Sequence, residues 1–153
     1  MGQGIELPPA FQRPSGKLYL ANNQLNLVST VCTLVDLDTI PADFTDGIEN
    51  TGTHRITPGY GGFYAITGQV TFEAVVADKD YEARVRLNGG GYICRNVSHA
   101  SKAGSLSVPV SLSCQLMTVA DYIELWAQSD AGVDTVDINI SEVFTFLALQ
   151  RVR

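Results

Sequence analysis

His54 and His99 are the only imidazoles in the chain, so any histidine-dependent nucleophilic catalysis must run through one of them. His54 stands in Thr-Gly-Thr-His-Arg and His99 in Val-Ser-His-Ala-Ser. No Gly-x-Ser-x-Gly elbow accompanies either, and both read as polar loop or strand-edge positions. The carboxylate pairs Asp36/Asp38 and Asp78/Asp80 fall on one side of an extended chain, where they hold Ca²⁺ only if carbonyl oxygens complete the shell. Asp130 and Asp134 are a second weak pair of the same kind, and none of these pairs lies in an Asp-x-Asp-x-Asp-Gly loop. Cys32, Cys94 and Cys114 are an odd number without a Cys-x-x-Cys spacing, which reads as reduced thiols rather than a metal site or a disulfide scaffold. The glycines at 59, 61 and 62 are not followed by Gly-Lys-Ser/Thr and open no helix, so they make no phosphate loop. The expectation is a protein that is not an enzyme and has no cofactor. Tyr92 with Asn96, and Asp130 with Asp134, are the loop-tip positions with which a glycan-binding module would have to work.

The charge balance narrows the partners. Ten Lys and Arg stand against sixteen Asp and Glu in 153 residues, a net charge of −6, with no basic run. That argues against nucleic acid or an anionic membrane, both of which need clustered cations. No apolar run approaches the roughly 18 residues of a membrane-spanning helix. The start, Met1 to Glu6, lacks a basic segment followed by an apolar one, so a secretory leader is not expected and assembly in a cytosol is. Only 17% of residues are charged, beside 45% hydrophobic ones, so much of the exterior must be Ser, Thr, Asn, Gly or apolar. A subunit has such a surface more often than a free monomer does.

The elements that must carry these residues are strands. Tyr81, Ala83, Val85 and Leu87 alternate with Glu82, Arg84, Arg86 and Asn88, a half-buried strand. Tyr64, Ile66, Gly68, Val70, Phe72 and Ala74 define one face of a longer one. Further runs cover 31–38, 105–113, 122–128, 136–140 and 143–149, and Pro109 within its run marks an edge strand or a bulge. Turn clusters separate them at intervals of about ten residues, the spacing of an antiparallel sandwich. Residues 1–24 differ: Pro8, Pro9 and Pro14 deny ladder donors, so the segment reads as an extended arm, with Phe11, Leu18 and Tyr19 apolar enough to dock on a partner. The division is an arm over 1–24 and one all-β domain over 25–153. The run 143–149 is apolar in both registers, and 122–128 nearly so. With no helix to cover an outer face, a second copy of the chain is the expected cover.

Four motifs stand in a recognisable order: Arg55 to Val70, with Gly59-Tyr60-Gly61-Gly62 leading into a long strand; Ala83-Arg84-Val85-Arg86-Leu87-Asn88-Gly89; Ala120-Asp121-Tyr122-Ile123-Glu124-Leu125-Trp126; and Phe144 to Leu149. Together they resemble the C1q/TNF-like domain, and the Gly68-Gln69-Val70 variant looks like its bacteriophage and bacterial forms. Ala120 stands where that pattern usually has Gly, and there is no collagen-like stalk. The resemblance implies a ten-stranded antiparallel jelly-roll β-sandwich assembled as a homotrimer, with Tyr64, Tyr122, Trp126, Phe144 and Phe146 packing near the threefold axis. It leads to the expectation of a structural virion protein of a bacteriophage, of the capsid-decoration or head-fibre type, located in the virion and assembled in the host cytoplasm. The arm would attach it to a capsid or tail protein. The alternative is an adhesion module that binds a host-surface glycan or receptor.

Overall fold

The computed structural model describes residues 15–43, 48–130 and 135–152. Twelve strands form among them: β1 (Ser15–Tyr19), β2 (Gln24–Val28), β3 (Thr33–Leu34), β4 (Glu49–Asn50), β5 (Arg55–Ile56), β6 (Gly62–Val75), β7 (Lys79–Leu87), β8 (Tyr92–Ala100), β9 (Gly104–Met117), β10 (Ile123–Ser129), β11 (Thr135–Ile138) and β12 (Phe146–Arg151). No helix occurs among the described residues, so none is long and apolar enough to cross a membrane.

Two antiparallel sheets face each other. One has the order β1-β12-β6-β11-β2, with β9 on the far side of β6; the other runs β4-β5-β10-β7-β8, with β3 also on β10. The period of two decides what each strand buries. Ile66, Val70 and Phe72 of β6 meet Tyr81, Ala83 and Val85 of β7 inside the sandwich, all fully buried. The Phe72 and Tyr81 rings lie 5.1 Å apart between centroids and couple the sheets directly. Each large apolar side chain removed from water in this way contributes about 1.5–3 kcal/mol. At the centre of the first sheet Gly68 is held by close approach: a Cβ there would lie 3.1 Å from the Phe146 carbonyl oxygen and 3.3 Å from Val110.

Several sequence expectations are corrected here. Residues 15–19 are not arm. They form β1, in register with β12 from Ser15↔Gln150 to Tyr19↔Phe146. Of the apolar positions expected to dock on a partner, Leu18 is spent inside the sandwich with Leu20, whereas Tyr19 lies on the outer side of β1. Pro8, Pro9 and Phe11 lie outside the described residues. The face expected to continue from Tyr64 to Ala74 breaks after Phe72, where the β6–β9 register shifts; Ala74 sits at φ 54° and is exposed, and Val75 takes the buried place. The closing strand begins at Phe146 rather than 143, because residues 142–144 form a turn in which the Phe144 N–H donates to the Ser141 carbonyl at 3.1 Å. Among the described residues Pro109 does sit on an edge strand, since β9 pairs there only with β6.

Candidate functional site

Neither histidine sits in a catalytic arrangement. His54 Nδ1 bonds the Leu37 carbonyl oxygen at 2.9 Å, with Nε2 3.8 Å from Asp36. His99 lies between Asp80, 2.8 Å from Nδ1, and Asp78, 3.8 Å from Nε2. A carboxylate that orients an imidazole is one half of a triad, but neither ring has a hydroxyl or thiol as hydrogen-bond partner. The three thiols are free, and burial pushes that of Cys94 up. No group of three His, Cys, Asp or Glu able to hold a metal exists among the described residues. Asp134 lies outside them; the Asp130 N–H donates to the Asp80 carbonyl at 2.9 Å.

The features that remain are the two outer faces of the sandwich. On the β10-β7-β8 sheet, strand register sets charged and aromatic side chains in rows. Glu124, Arg86 and Tyr92 are cross-strand neighbours in one row; Trp126, Arg84 and Arg95 are neighbours in the next. Diagonal contacts knit the rows together. The Arg86 guanidinium lies 4.1 Å from the Trp126 ring centroid, Arg84 5.3 Å from Tyr92, and Arg55 of β5 4.0 Å from Tyr122. Both carboxylates of this lattice are fully engaged. Glu124, only 3% exposed, accepts from Arg55 Nε at 2.9 Å and from Trp126 Nε1 at 3.2 Å. Glu82 accepts from Arg84 and Arg95 on both of its oxygens. Partial burial alone would raise the Glu82 carboxyl, but hydrogen bonds and charge from Arg95 and Arg84 outweigh it and hold it below the usual carboxylate range. Among the described residues Arg86 makes no ion pair, and its Nε is buried without a hydrogen-bond partner. Such an orphaned donor costs about 1–3 kcal/mol unless an acceptor is supplied.

The outer face of the β1-β12-β6-β9 sheet is of another kind. Reading across the register, it presents Ser15, Lys17 and Tyr19; Gln150, Ala148 and Phe146; Ala65, Thr67 and Gln69; and Ser111 and Pro109. Lys17 is the one charge in these rows, and its ammonium sits 4.9 Å from the Phe146 ring centroid. A depression of about 240 Å³ opens between Ser15, Ala65, Thr67, Ala148 and Gln150, where the side chains are small. A second, of about 330 Å³, lies toward one end, lined by Phe63, Ser113, Cys114 and Val152. Leu116, in register with Phe63, is 60% exposed beside it.

The five aromatics expected to gather at one axis are therefore divided. Tyr64 points inward, fully buried, with its hydroxyl donating to the Tyr60 carbonyl at 2.7 Å; it belongs to the single-chain core. Trp126 and Tyr122 belong to the charged sheet, where arginines cover them. Phe146 lies on the uncharged face, and Phe144 is exposed in the turn that leads to it. Tyr92 and Asn96 do not act together either. Tyr92 pairs with outward Arg86, whereas Asn96 pairs with inward Ala83 and donates to the Pro109 carbonyl at 2.7 Å.

Two of the recognised motifs meet in space. Asn88, at the turn after β7, donates through Nδ2 to Asp121 at 2.7 Å and accepts the Tyr122 N–H at 2.9 Å. Asp121 in turn accepts from the Thr118 N–H at 2.6 Å, so the Asn-Gly and Asp-Tyr segments form one clasp. The bond from Asn88, followed by those from Thr118, holds the Asp121 carboxyl below its usual range. The arrangement matches known structures over nearly the whole chain. The Eiger TNF of S. frugiperda superposes with a TM-score of 0.66 at 9% identity, covering 92% of this chain and 93% of that one. The globular domain of the zebrafish complement 1qA protein gives 0.65 at 11% identity, covering 92% and 98%. Murine APRIL at pH 5.0 gives 0.64 at 18% identity, covering 92% and 100%. The chain has the C1q/TNF-like jelly-roll fold. No protein-family model and no curated protein matches the sequence. Within the C1q/TNF-like fold the alanine at 120 is readily accommodated, since it sits exposed in the Thr118–Asp121 turn without a positive φ.

The outward Arg86 and Arg84 were visible in the alternation of β7, but the partner rows were not. β8 escaped the sequence reading because its inward residues, Cys94, Asn96 and Ser98, are not strongly apolar. The available signal was the Asn88-Gly89 pair after β7. Both residues take positive φ, 55° and 66°, and the Gly90 N–H donates to the Leu87 carbonyl at 3.0 Å, a turn that returns the chain as a hairpin.

Proposed function

We propose that this protein is a non-enzymatic structural subunit that assembles with copies of itself through the outer face of the β1-β12-β6-β9 sheet. One observation carries the reading: where β1, β12, β6 and β9 lie side by side, Lys17 is the single charge among the described rows, whereas Glu73 and Asp137 lie toward β11 and the other sheet is covered with charges. Burying uncharged, small and aromatic side chains involves little desolvation penalty, whereas burying an unpaired charge costs several kcal/mol. The assembly is a homotrimer, as the C1q/TNF resemblance implies, with Phe146 and Phe144 in or beside the contact. Its setting is a bacteriophage virion, as a capsid decoration or head-fibre type protein. This part of the reading is supported by the Gly68-Gln69-Val70 variant and by the proline-containing segment 1–14, which would supply the attachment to a capsid or tail protein. Deleting residues 1–14 tests the setting. A trimer that keeps its mass but no longer binds particles agrees with it; undiminished particle binding overturns the role of the segment.

A further inference from the structure

The charged sheet carries a second assignment. Among the arginines of its rows, Arg55 is paired to Glu124, and Arg84 and Arg95 to Glu82; Arg86 makes no ion pair among the described residues. The nearest carboxylate in register, Glu124, already spends both oxygens on Arg55 and Trp126. Arg86 thus has its guanidinium 4.1 Å from the Trp126 ring centroid and no carboxylate partner, in a patch where Arg55, Arg84, Arg86 and Arg95 outnumber Glu82 and Glu124, on a chain of net charge −6. Beside it in the same row stands Tyr92, 51% exposed, preceded by Gly91, around which a Cβ would meet nothing within 4 Å. A half-exposed aromatic ring next to a guanidinium without a carboxylate partner suits a ligand with both a carboxylate and a flat apolar surface.

We propose that Arg86, Trp126 and Tyr92 form a binding site for an acidic glycan, its carboxylate received by the Arg86 guanidinium and a sugar ring lying on Tyr92. A strand-forming peptide fits less well, because the β8 edge is already bridged to β9 through Asn96 and the Pro109 carbonyl. A nucleic-acid strand fits less well too, because Glu82, Glu124 and Asp80 interrupt the face that its phosphates would follow. The site lies on the sheet opposite the proposed assembly face.

Trp126 is the only tryptophan in the chain, which makes its fluorescence a reporter at the site itself. The full chain is titrated with 3′-sialyllactose and trigalacturonate, with lactose as the neutral control, and affinities are measured in parallel by calorimetry. The expected result is a saturable change in Trp126 emission with the acidic sugars and none with lactose. Arg86→Gln should weaken binding roughly tenfold, and the exposed Tyr92→Ala severalfold with unchanged thermal stability. No response to either acidic sugar overturns the proposal. So does affinity unchanged in both variants, or tighter binding of polyglutamate or an oligo-dT than of the sugar acids. Sedimentation of the same samples reports assembly separately, so failure of the site and failure of the trimer are told apart.

Discussion

The two outer faces of this sandwich are built on the same strand geometry and end in opposite surfaces. On β7 and β10 the outward positions include Glu82, Arg84, Arg86, Glu124 and Trp126; on β6 and β12 they include Ala65, Thr67, Gln69, Phe146 and Ala148, with Glu73 as the charge at the β11 end. The first face satisfies itself laterally, through ion pairs and guanidinium–ring contacts that lie in the plane of the sheet. The second is held by neutral hydrogen bonds, from Gln69 and Thr71 to the 143–144 turn and between Thr71 and Ser107, and carries little charge. The difference teaches that low overall charge is not spread evenly over this protein. The uncharged stretch lies on one sheet, the one through which assembly is proposed.

The sharpest way to break the comparison is to place the same charge on each face. Thr67→Arg, set between Ala148 and Ser111, should abolish assembly while the circular dichroism of the strands is retained. Val97→Arg on β8, exposed beside Glu82, should leave the assembly mass unchanged. Loss of assembly in both variants, or in neither, removes the distinction between the faces. Next in size is Arg55→Ala, which leaves the buried Glu124 carboxylate without its ion-pair partner. A loss of about 3 kcal/mol in urea unfolding is expected, and a loss under about 1 kcal/mol would show that the charged lattice contributes little. Gly68→Ala should cost roughly 1–3 kcal/mol by overpacking, because its new Cβ presses on the Phe146 carbonyl at 3.1 Å. It would do so on the uncharged sheet without altering any ion pair.

The smallest expected effect is one of pH. The folded Glu82 carboxyl lies below its unfolded value, so its contribution is fully present above the unfolded carboxylate range of about 4.3 and is lost as pH falls through the folded pKa. Thermal melts of Glu82→Gln and the parent should therefore differ at neutral pH and converge under strongly acidic conditions. A gap that widens on acidification contradicts the sign. Partial exposure and salt screening keep the difference to about 1 kcal/mol.

The fold was legible where alternation was strict and a turn signal bounded it. β7 reads directly from Tyr81, Ala83 and Val85 against Glu82, Arg84 and Arg86, and four weak motifs in the right order were enough for the fold class. β1 was hidden because three prolines precede Leu18 and Leu20 and make the whole segment look like an arm. The candidate faces were only half legible, for a physical reason. Period two tells which residues share a side of a strand, but not to which sheet the strand belongs. Trp126 and Phe146 both point outward and both are aromatic, yet they stand on opposite outer faces. Their grouping needed the pairing of β10 with β7 and of β12 with β6, contacts made across long stretches of sequence.

The most direct test of the central claim is sedimentation equilibrium of the unmodified full chain at moderate ionic strength. Assembly through the uncharged sheet predicts a single species of three times the 16.5 kDa chain mass, insensitive to added salt. A species of 16.5 kDa, or an assembly that dissociates as salt rises, would contradict it.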